Sequence, residues 1–385
     1  MKPWRTTRRG RRFLPALILF LTLFLVLTPA AYGAQDPAGE ESETDASLGQ
    51  LSQALPAETR QLLEPALAES GEGGWKSSAA AIAEAGFNQV RDMLRGVLAS
   101  GAALLVIVFL CDGAQMLYFQ EKDSRLLRCT AMTGALAIVL LSAGDLNNMI
   151  GLGVETIQTM NDFSKTLLPL LGAACAASGG ISSGAVREVA TTFFADILIT
   201  CINQLLIPLV YIYIGAITAN AVLQQQSLQS IAKGIRKFIV WGLTILLSAF
   251  TAYLTLSSVI SGTADAAALR VAKFAISGAV PVVGGILSNA ASTILVGASI
   301  LKNTIGIFGT LAVFALCITP FIQIGIQYLL YKAAAFFAEM IDQTGLARLM
   351  DEIGGAFGMI LGMTGACALL LIISLIMSIS AVVPV

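Results

Sequence analysis

Hydrophobic residues dominate most of the chain, and they fall into runs long enough to cross a membrane as helices. A membrane helix needs about 20 apolar residues to cross about 30 Å of hydrocarbon. Six runs meet this length and predict spans at 97–119, 126–144, 189–223, 238–260, 304–331 and 355–381. The third and fifth spans are longer than a membrane requires, and each contains one proline. The pattern therefore predicts an all-α, polytopic membrane domain over residues 97–385.

Two further apolar runs, at about 166–181 and 274–295, are interrupted by proline and rich in Gly, Ala and Ser. A proline removes one backbone hydrogen bond from a helix and kinks or breaks it. In a membrane, neighbouring groups must then satisfy the freed carbonyl. We expect these two runs to form re-entrant hairpins, and full crossings are the alternative. The predicted helix breaks are Pro169, Pro208, Pro281 and Pro320.

The same four prolines suggest an internal repeat. Pro169 and Pro281 are 112 residues apart, and so are Pro208 and Pro320. Parallel repeats of this kind build transporters, with broken helices at the substrate path. The predicted repeats cover 126–224 and 238–336, and coincidence of spacing is the alternative.

The N-terminal segment has the pattern of a secretory signal peptide. Six basic residues precede an apolar run over 13–27, and small residues follow at Ala31 and Gly33. These three features are typical of a cleaved signal over residues 1–33. A retained membrane anchor is the alternative.

The next segment, 34–96, is acidic and is expected outside the cytoplasm. Its apolar spacing predicts short amphipathic helices at Leu51–Leu67 and Ala79–Val97. The segment would form either a solvated lead-in to the membrane or a docking surface for an extracytoplasmic partner. With residue 96 outside, eight basic residues lie in cytoplasmic loops and five in outside loops. This distribution agrees with the positive-inside rule and places the C-terminus outside.

Composition excludes most soluble functions. The chain is 56% apolar and 12% charged, whereas a soluble domain is about 45–50% apolar and about 25% charged. A net charge of −1 provides no basic surface for nucleic acid. The chain contains no histidine, the commonest general base and a frequent metal ligand.

One catalytic motif is present, but it lacks a base. Gly180–Gly184 reads G-x-S-x-G, the pattern that presents a nucleophilic serine. A serine nucleophile needs an adjacent base, and the nearby Arg187 cannot accept a proton. The chain also has no P-loop sequence, and its six cysteines have no C-x-x-C spacing. We therefore expect no enzyme activity, no metal site and no cofactor.

Polar residues within apolar spans are the default place to look for function. The candidates are Asp112 in the first span and Asp196, Asn203 and Gln204 in the third. They would line a polar path between helices, or they would only fix the bundle through interhelical hydrogen bonds.

Small residues recur every four positions near the C-terminus, at Gly354, Gly358, Gly362 and Ala366. A small-xxx-small stripe lets two helices approach closely. The stripe predicts helix packing, either within the chain or with another subunit.

Several motifs resemble those of the stage III sporulation protein AE family of endospore-forming bacteria. The most specific is the run Leu301–Gly309, preceded by Leu269–Phe274 and Pro281–Gly284. Supporting similarity lies at 156–160, 168–171 and 178–180. The positions that match the family motif are Arg270, Lys273, Pro281, Gly284, Lys302, Asn303, Gly306 and Gly309.

The resemblance implies a membrane subunit of the channel that links mother cell and forespore, in the mother-cell membrane around the forespore. It implies partners among the stage III sporulation proteins of the AA-to-AH set, including an ATPase, and stage II sporulation protein Q. It implies no catalytic residue. An autonomous secondary transporter is the alternative function, and an intramembrane protease acting through Ser182 is a third that the missing histidine disfavours.

Overall fold

The protein is described by a computed structural model that covers residues 41–68, 72–117, 124–179, 181–223, 225–279 and 284–380. Over these ranges the chain consists of helices and short turns, without a strand. The predicted all-α class is therefore confirmed. The predicted signal peptide over 1–33 lies outside the described residues.

Two short helices precede a bundle of long ones. The short helices are α1 (Glu41–Gln53) and α2 (Ala57–Ala68). The long helices are α3 (Glu72–Leu117), α4 (Ser124–Ala177), α5 (Ile181–Cys201), α6 (Ile207–Leu223), α7 (Gln226–Ala279), α8 (Gly284–Met340) and α9 (Thr344–Ser380). A π-helical segment, Ile202–Leu206, joins α5 directly to α6.

Six helical segments in the described part are long and apolar enough to cross a membrane. The predicted number of spans is thus confirmed, because each segment overlaps one predicted span. They are Lys76–Met116, Cys129–Ala177, Glu188–Leu223, Ser227–Ser257, Leu295–Met340 and Thr344–Ile379. Four of the helices, α3, α4, α7 and α8, contain 46 to 57 residues. At 1.5 Å per residue they are roughly 70–85 Å long, more than twice the thickness of the hydrocarbon.

Helices α8 and α9 form the centre of the bundle. In their most apolar stretches 67% and 72% of residues are buried, against less than a third in the other four segments. Helices α3 and α4 pack against α8, while α4, α5, α6 and α7 pack against α9. The core around this central pair contains fully buried aromatic residues such as Phe308, Tyr331 and Phe357. The outer helices expose large apolar side chains, as the surface of a membrane protein does.

The prolines have different effects from those predicted. Pro169 and Pro320 each lie inside a continuous helix, α4 and α8 respectively. The breaks predicted there are absent because a long, packed helix tolerates the loss of one backbone hydrogen bond. Pro208 is the second residue after the π-helical segment, at whose end the Ile207 N–H bonds to the Ile202 carbonyl five residues back. Pro281 lies outside the described residues.

The first predicted hairpin, 166–181, reverses at a glycine and not at its proline. Helix α4 continues past Pro169 to Ala177, and Gly179 then adopts a φ of 94°. This left-handed conformation suits glycine and ends a helix. The Ser178 hydroxyl also donates to the Cys175 carbonyl at 2.9 Å.

The repeat predicted from the proline spacing stays a prediction. Pro169 is in the interior of α4, and its predicted counterpart Pro281 lies outside the described residues.

Helix α4 contacts the central pair both within the predicted span 126–144 and well beyond it. A Cβ at Gly134 would lie 3.3 Å from Leu346 of α9, and a Cβ at Gly309 of α8 would meet Leu167. Between these positions Ser142 contacts Tyr331 of α8. The contact therefore extends at least from 134 to 167.

The N-terminal helices α1 and α2 pack against the bundle. Their apolar side chains Leu48, Leu51, Leu55 and Leu63 are buried, and α2 contacts both α3 and α8. The helix predicted over Leu51–Leu67 is two helices, separated by a turn that contains Pro56, and the one predicted over Ala79–Val97 is part of α3. Residues 41–68 thus form a docked element, which differs from a solvated lead-in.

Candidate functional site

The four residues predicted to line one polar path lie in separate places. Asp112, near the end of α3, accepts a hydrogen bond from Gln343 Nε2 at 3.1 Å. Gln343 and Gln115 exchange two amide hydrogen bonds of 3.2 Å. Gln343 is buried in the turn between α8 and α9. This cluster ties the end of α3 to the central pair.

Asp196, Asn203 and Gln204 do not join that cluster. Asp196 and Gln204 are exposed. Asn203 belongs to the π-helical segment, and its Oδ1 is buried without a hydrogen-bond partner among the described residues. Such π-helical turns inside α-helices are frequent at functional sites. Asn203 therefore places this amide oxygen where the helix of the third span widens to π-helical geometry.

A second polar layer, which the sequence analysis missed, joins α6, α7 and α9. The Tyr213 hydroxyl donates to the Glu352 carbonyl at 2.9 Å and interacts with the Arg236 guanidinium. Gln229 hydrogen-bonds the Glu352 carboxylate. A Cβ at Gly355 would lie 3.0 Å from the Tyr213 hydroxyl and 3.1 Å from Arg236, so this glycine makes room for the pair.

The same layer continues between α8 and α9. Lys332 forms an ion pair of 2.5 Å with Asp351 and also donates to the Asp351 carbonyl at 3.1 Å. The ammonium group lies 5.7 Å from the centre of the Tyr328 ring, within the range of a cation–π contact. Lys332 and Arg236 are two of the eight basic residues predicted to lie in cytoplasmic loops, whereas in the structure they lie in helices α8 and α7. No local pattern in the sequence indicates that they meet groups on other helices.

Two further interhelical contacts join hydroxyl groups. The Tyr331 hydroxyl donates to Ser142 Oγ at 2.8 Å, and Ser142 donates to the Ile138 carbonyl at 2.7 Å. Thr191 of α5 and Ser374 of α9 share a buried hydrogen bond of 2.6 Å. These contacts fix the outer helices on the central pair.

The small-residue stripe of α9 faces α8 only in part. A Cβ at Gly354 would lie 3.3 Å from Tyr331 Cβ, and one at Gly358 would lie 3.2 Å from the Tyr328 ring. Around Gly362 no atom lies within 4 Å of such a Cβ. Gly365 is not part of the predicted stripe, and a Cβ at this position would lie 3.3 Å from the Phe321 ring.

The most specific motif, Leu301–Gly309, lies where α8 meets α4 and α9. A Cβ at Gly306 would lie 2.5 Å from Ile379, and one at Gly309 would lie 2.8 Å from Leu167. Lys302 is only 5% exposed, and Asn303 Oδ1 is buried without a hydrogen-bond partner in the described ranges.

The remaining positions of the family motif precede this run in the sequence. Gly284 is the first residue of α8. The side chains of Arg270 and Lys273, and all of Pro281, lie outside the described residues.

The serine motif lacks the setting of a nucleophile elbow, which is a strand–turn–helix. Here helix α4 precedes the motif, and Ser182 is the second residue of α5. Gly180 lies outside the described residues. Over the part of the chain that the structure describes, no three His, Cys, Asp or Glu residues come together to hold a metal ion.

Comparison with known proteins supports the sequence resemblance. A sequence model of the family described as stage III sporulation protein AE matches residues 59–382. Stage III sporulation protein AE of Bacillus subtilis (strain 168) is 24% identical over 288 residues, which cover 74% of this chain and 72% of that protein. No solved structure matches the chain.

Proposed function

Because the chain belongs to the stage III sporulation protein AE family, we propose that it is a membrane subunit of the multiprotein channel that links mother cell and forespore. In this role it lies in the mother-cell membrane that surrounds the forespore and supports forespore development and gene expression. Its partners are the other stage III sporulation proteins of the AA-to-AH set, including an ATPase, and stage II sporulation protein Q.

The length of the helices is the observation that carries this proposal. Helices α4, α7 and α8 contain 54, 54 and 57 residues, and a single crossing uses only about 20. A large part of each helix therefore extends beyond the hydrocarbon and presents surface to other proteins. Extended helical surface of this kind suits a subunit of an assembly that bridges two membranes.

Photo-crosslinking in sporulating cells tests the proposal. A photoreactive residue at Phe87, which is 73% exposed on α3, should crosslink to sister sporulation proteins. The matched control is Phe308, an aromatic residue that is fully buried in α8 and should give no intermolecular product. Deletion of a crosslinked partner should reproduce the defect caused by loss of this chain. Normal forespore gene expression without the chain would contradict the channel role.

Autonomous transport is the second candidate function, and two buried polar atoms favour it. Asn203 Oδ1 and Gln327 Oε1 lack hydrogen-bond partners among the described residues and lie within apolar segments. Uptake of a solute into liposomes that contain only this protein would support a transporter, particularly if Asn203→Leu altered it. Absence of uptake by the protein alone is the result expected for a channel subunit.

A further inference from the structure

We propose that α4 and α8 hold one monovalent alkali-metal cation between Asp145, Gln327 and Tyr331. This site goes beyond the channel role proposed above and does not depend on it. Its ligands are oxygen atoms on two antiparallel helices that pack together in the core of the bundle.

Tyr331 anchors the site. Its side chain is fully buried, and its hydroxyl donates to Ser142 Oγ at 2.8 Å. Ser142 in turn donates its own proton to the Ile138 carbonyl. Both hydroxyl protons are therefore engaged in this chain of hydrogen bonds. The Tyr331 oxygen keeps its lone pairs for a further contact.

Gln327 supplies an oxygen without a partner. It lies one helical turn from Tyr331 on the same face of α8, because residues four apart share a face. Its side chain is 7% exposed, and its Oε1 has no hydrogen-bond partner in the described part of the chain. Buried polar atoms are nearly always hydrogen-bonded, so an atom of this kind indicates a missing ligand or water.

The helix register places Gln327 against the part of α4 that contains Asp145. Tyr331 faces Ser142, and Ile324 lies 3.9 Å from the Cβ that Gly153 would carry. These two contacts bracket Gln327, so it faces the part of α4 between 142 and 153. Asp145 lies in that interval, one turn from Ser142 on the same face of α4.

The carboxylate of Asp145 can neutralise the charge of a bound cation. Its carboxylate is half-buried and close enough to interact electrostatically with the Tyr331 phenol. It forms no ion pair within the described ranges, whereas Lys332, next to Tyr331, is engaged by Asp351. At this place between α4 and α8, a carboxylate without an ion pair in the described ranges thus lies near neutral oxygen atoms.

These ligands suit a monovalent cation. Carboxylate, amide and hydroxyl oxygens bind hard cations. Divalent cations usually require more than one carboxylate in a site made of protein alone, while a single carboxylate neutralises one positive charge. Water is the competing occupant, because it would satisfy Gln327 without regard to the cation in solution.

Thermal unfolding of the purified full-length protein in detergent tests the site. Midpoints are compared in sodium chloride, potassium chloride and choline chloride at equal ionic strength. Choline is too large to enter between packed helices. We expect the sodium or the potassium salt to raise the midpoint by about 3 °C over choline, with saturation at high concentration.

Two variants and one matched control locate the effect. Asp145→Asn removes the charge, and Gln327→Leu removes the free oxygen at similar volume, so each should abolish the difference between salts. Glu155→Gln removes an exposed carboxylate ten residues further along α4 and should leave the difference intact.

Equal midpoints in all three salts for the unaltered protein would overturn the proposal and leave water as the occupant. The proposal would also be overturned if the unfolding midpoint still differed between the alkali-metal salt and choline chloride in both variants. If Asp145→Asn does not fold, Gln327→Leu and Tyr331→Phe decide the question.

Discussion

Single glycines control how closely the central helix approaches its neighbours. In α8 a Cβ at Gly309 would lie 2.8 Å from Leu167 Cδ1 of α4 and 3.4 Å from Leu375 of α9. Side chains on two different helices therefore crowd this position from two sides. At Gly325 of the same helix, no atom lies within 4 Å of the added carbon. The contrast shows that packing, and not helix propensity, requires glycine at 309.

Gly309→Ala should destabilise the folded protein by about 1–3 kcal/mol, because the added methyl group forces apart packed side chains. Gly325→Ala is the matched control and should be neutral or stabilising, since alanine is the better helix former. Unfolding of the two variants by denaturant in detergent measures the difference. Equal stability of both variants would show that Leu167 and Leu375 move aside without cost.

At the scale of the helix, turns carry contacts that apolar runs do not reveal. Gln343 follows the end of α8 and precedes α9, and it is 8% exposed. Its amide connects to Asp112 and Gln115, which lie near the end of α3. The residue before it, Asp342, has a φ of 62°, an uncommon conformation that turns the chain sharply. The connection between α8 and α9 is thus also the attachment point of α3.

Gln343→Leu should weaken the attachment of α3 and lower the free energy of unfolding by about 1–3 kcal/mol. The physical reason is that Asp112 and Gln115 lose their partners in a partly buried place. Gln158→Leu, at an exposed position of α4, is the control and should have little effect. Cysteine accessibility at Val108, which is fully buried one turn before Asp112 on α3, should rise only in the Gln343 variant. Unchanged accessibility there would show that apolar packing alone holds the end of α3.

The π-helical segment shows a limit of reasoning from proline. Pro208 has no N–H, so the preceding turn adopts the wider spacing in which Ile207 bonds to Ile202. Pro169 and Pro320 have the same covalent structure, yet they lie in continuous helices. A proline therefore predicts the loss of one hydrogen bond, while the packing around it decides whether the helix changes direction.

On the scale of the whole molecule, the N-terminal helices are part of the fold. Leu51 and Leu63 are fully buried, and α1 and α2 contact α8. Arg60 of α2 donates to the Ser52 carbonyl at 2.9 Å and to the Gln53 and Leu55 carbonyls, which closes the end of α1. The two short helices thus dock as a pair.

Leu63→Asp should release this pair from the bundle, because an unpaired charge in an apolar contact is costly. We expect limited proteolysis to cut within residues 41–71 of the variant at least tenfold faster, while the long helices stay protected. Gln61→Asp places the same charge at an exposed position of α2 and should not change the cleavage rate. Cleavage throughout the long helices of the Leu63 variant would mean that α1 and α2 are needed for the whole fold.

Much of the candidate site was not predictable from the sequence. The predicted polar path required Asp112, Asp196 and Asn203 to lie close together. In the structure Asp112 instead accepts a hydrogen bond from Gln343, which is distant in the sequence. Similarly, Tyr213 meets Glu352, and Ser142 meets Tyr331. Sequence spacing shows which residues share a face of one helix, but it does not show which faces of different helices come together.

The sequence by itself determined the number of long apolar helices and the family, because hydrophobic length and local motifs are properties of contiguous residues. Only the tertiary structure decided the register between helices. It placed 134–167 of α4 beside the central pair, set Gly179 as the point of reversal and brought the hydroxyl groups of Ser142 and Tyr331 together. The physical reason is that antiparallel helices can slide along each other, and the register that best buries side chains depends on all their neighbours at once.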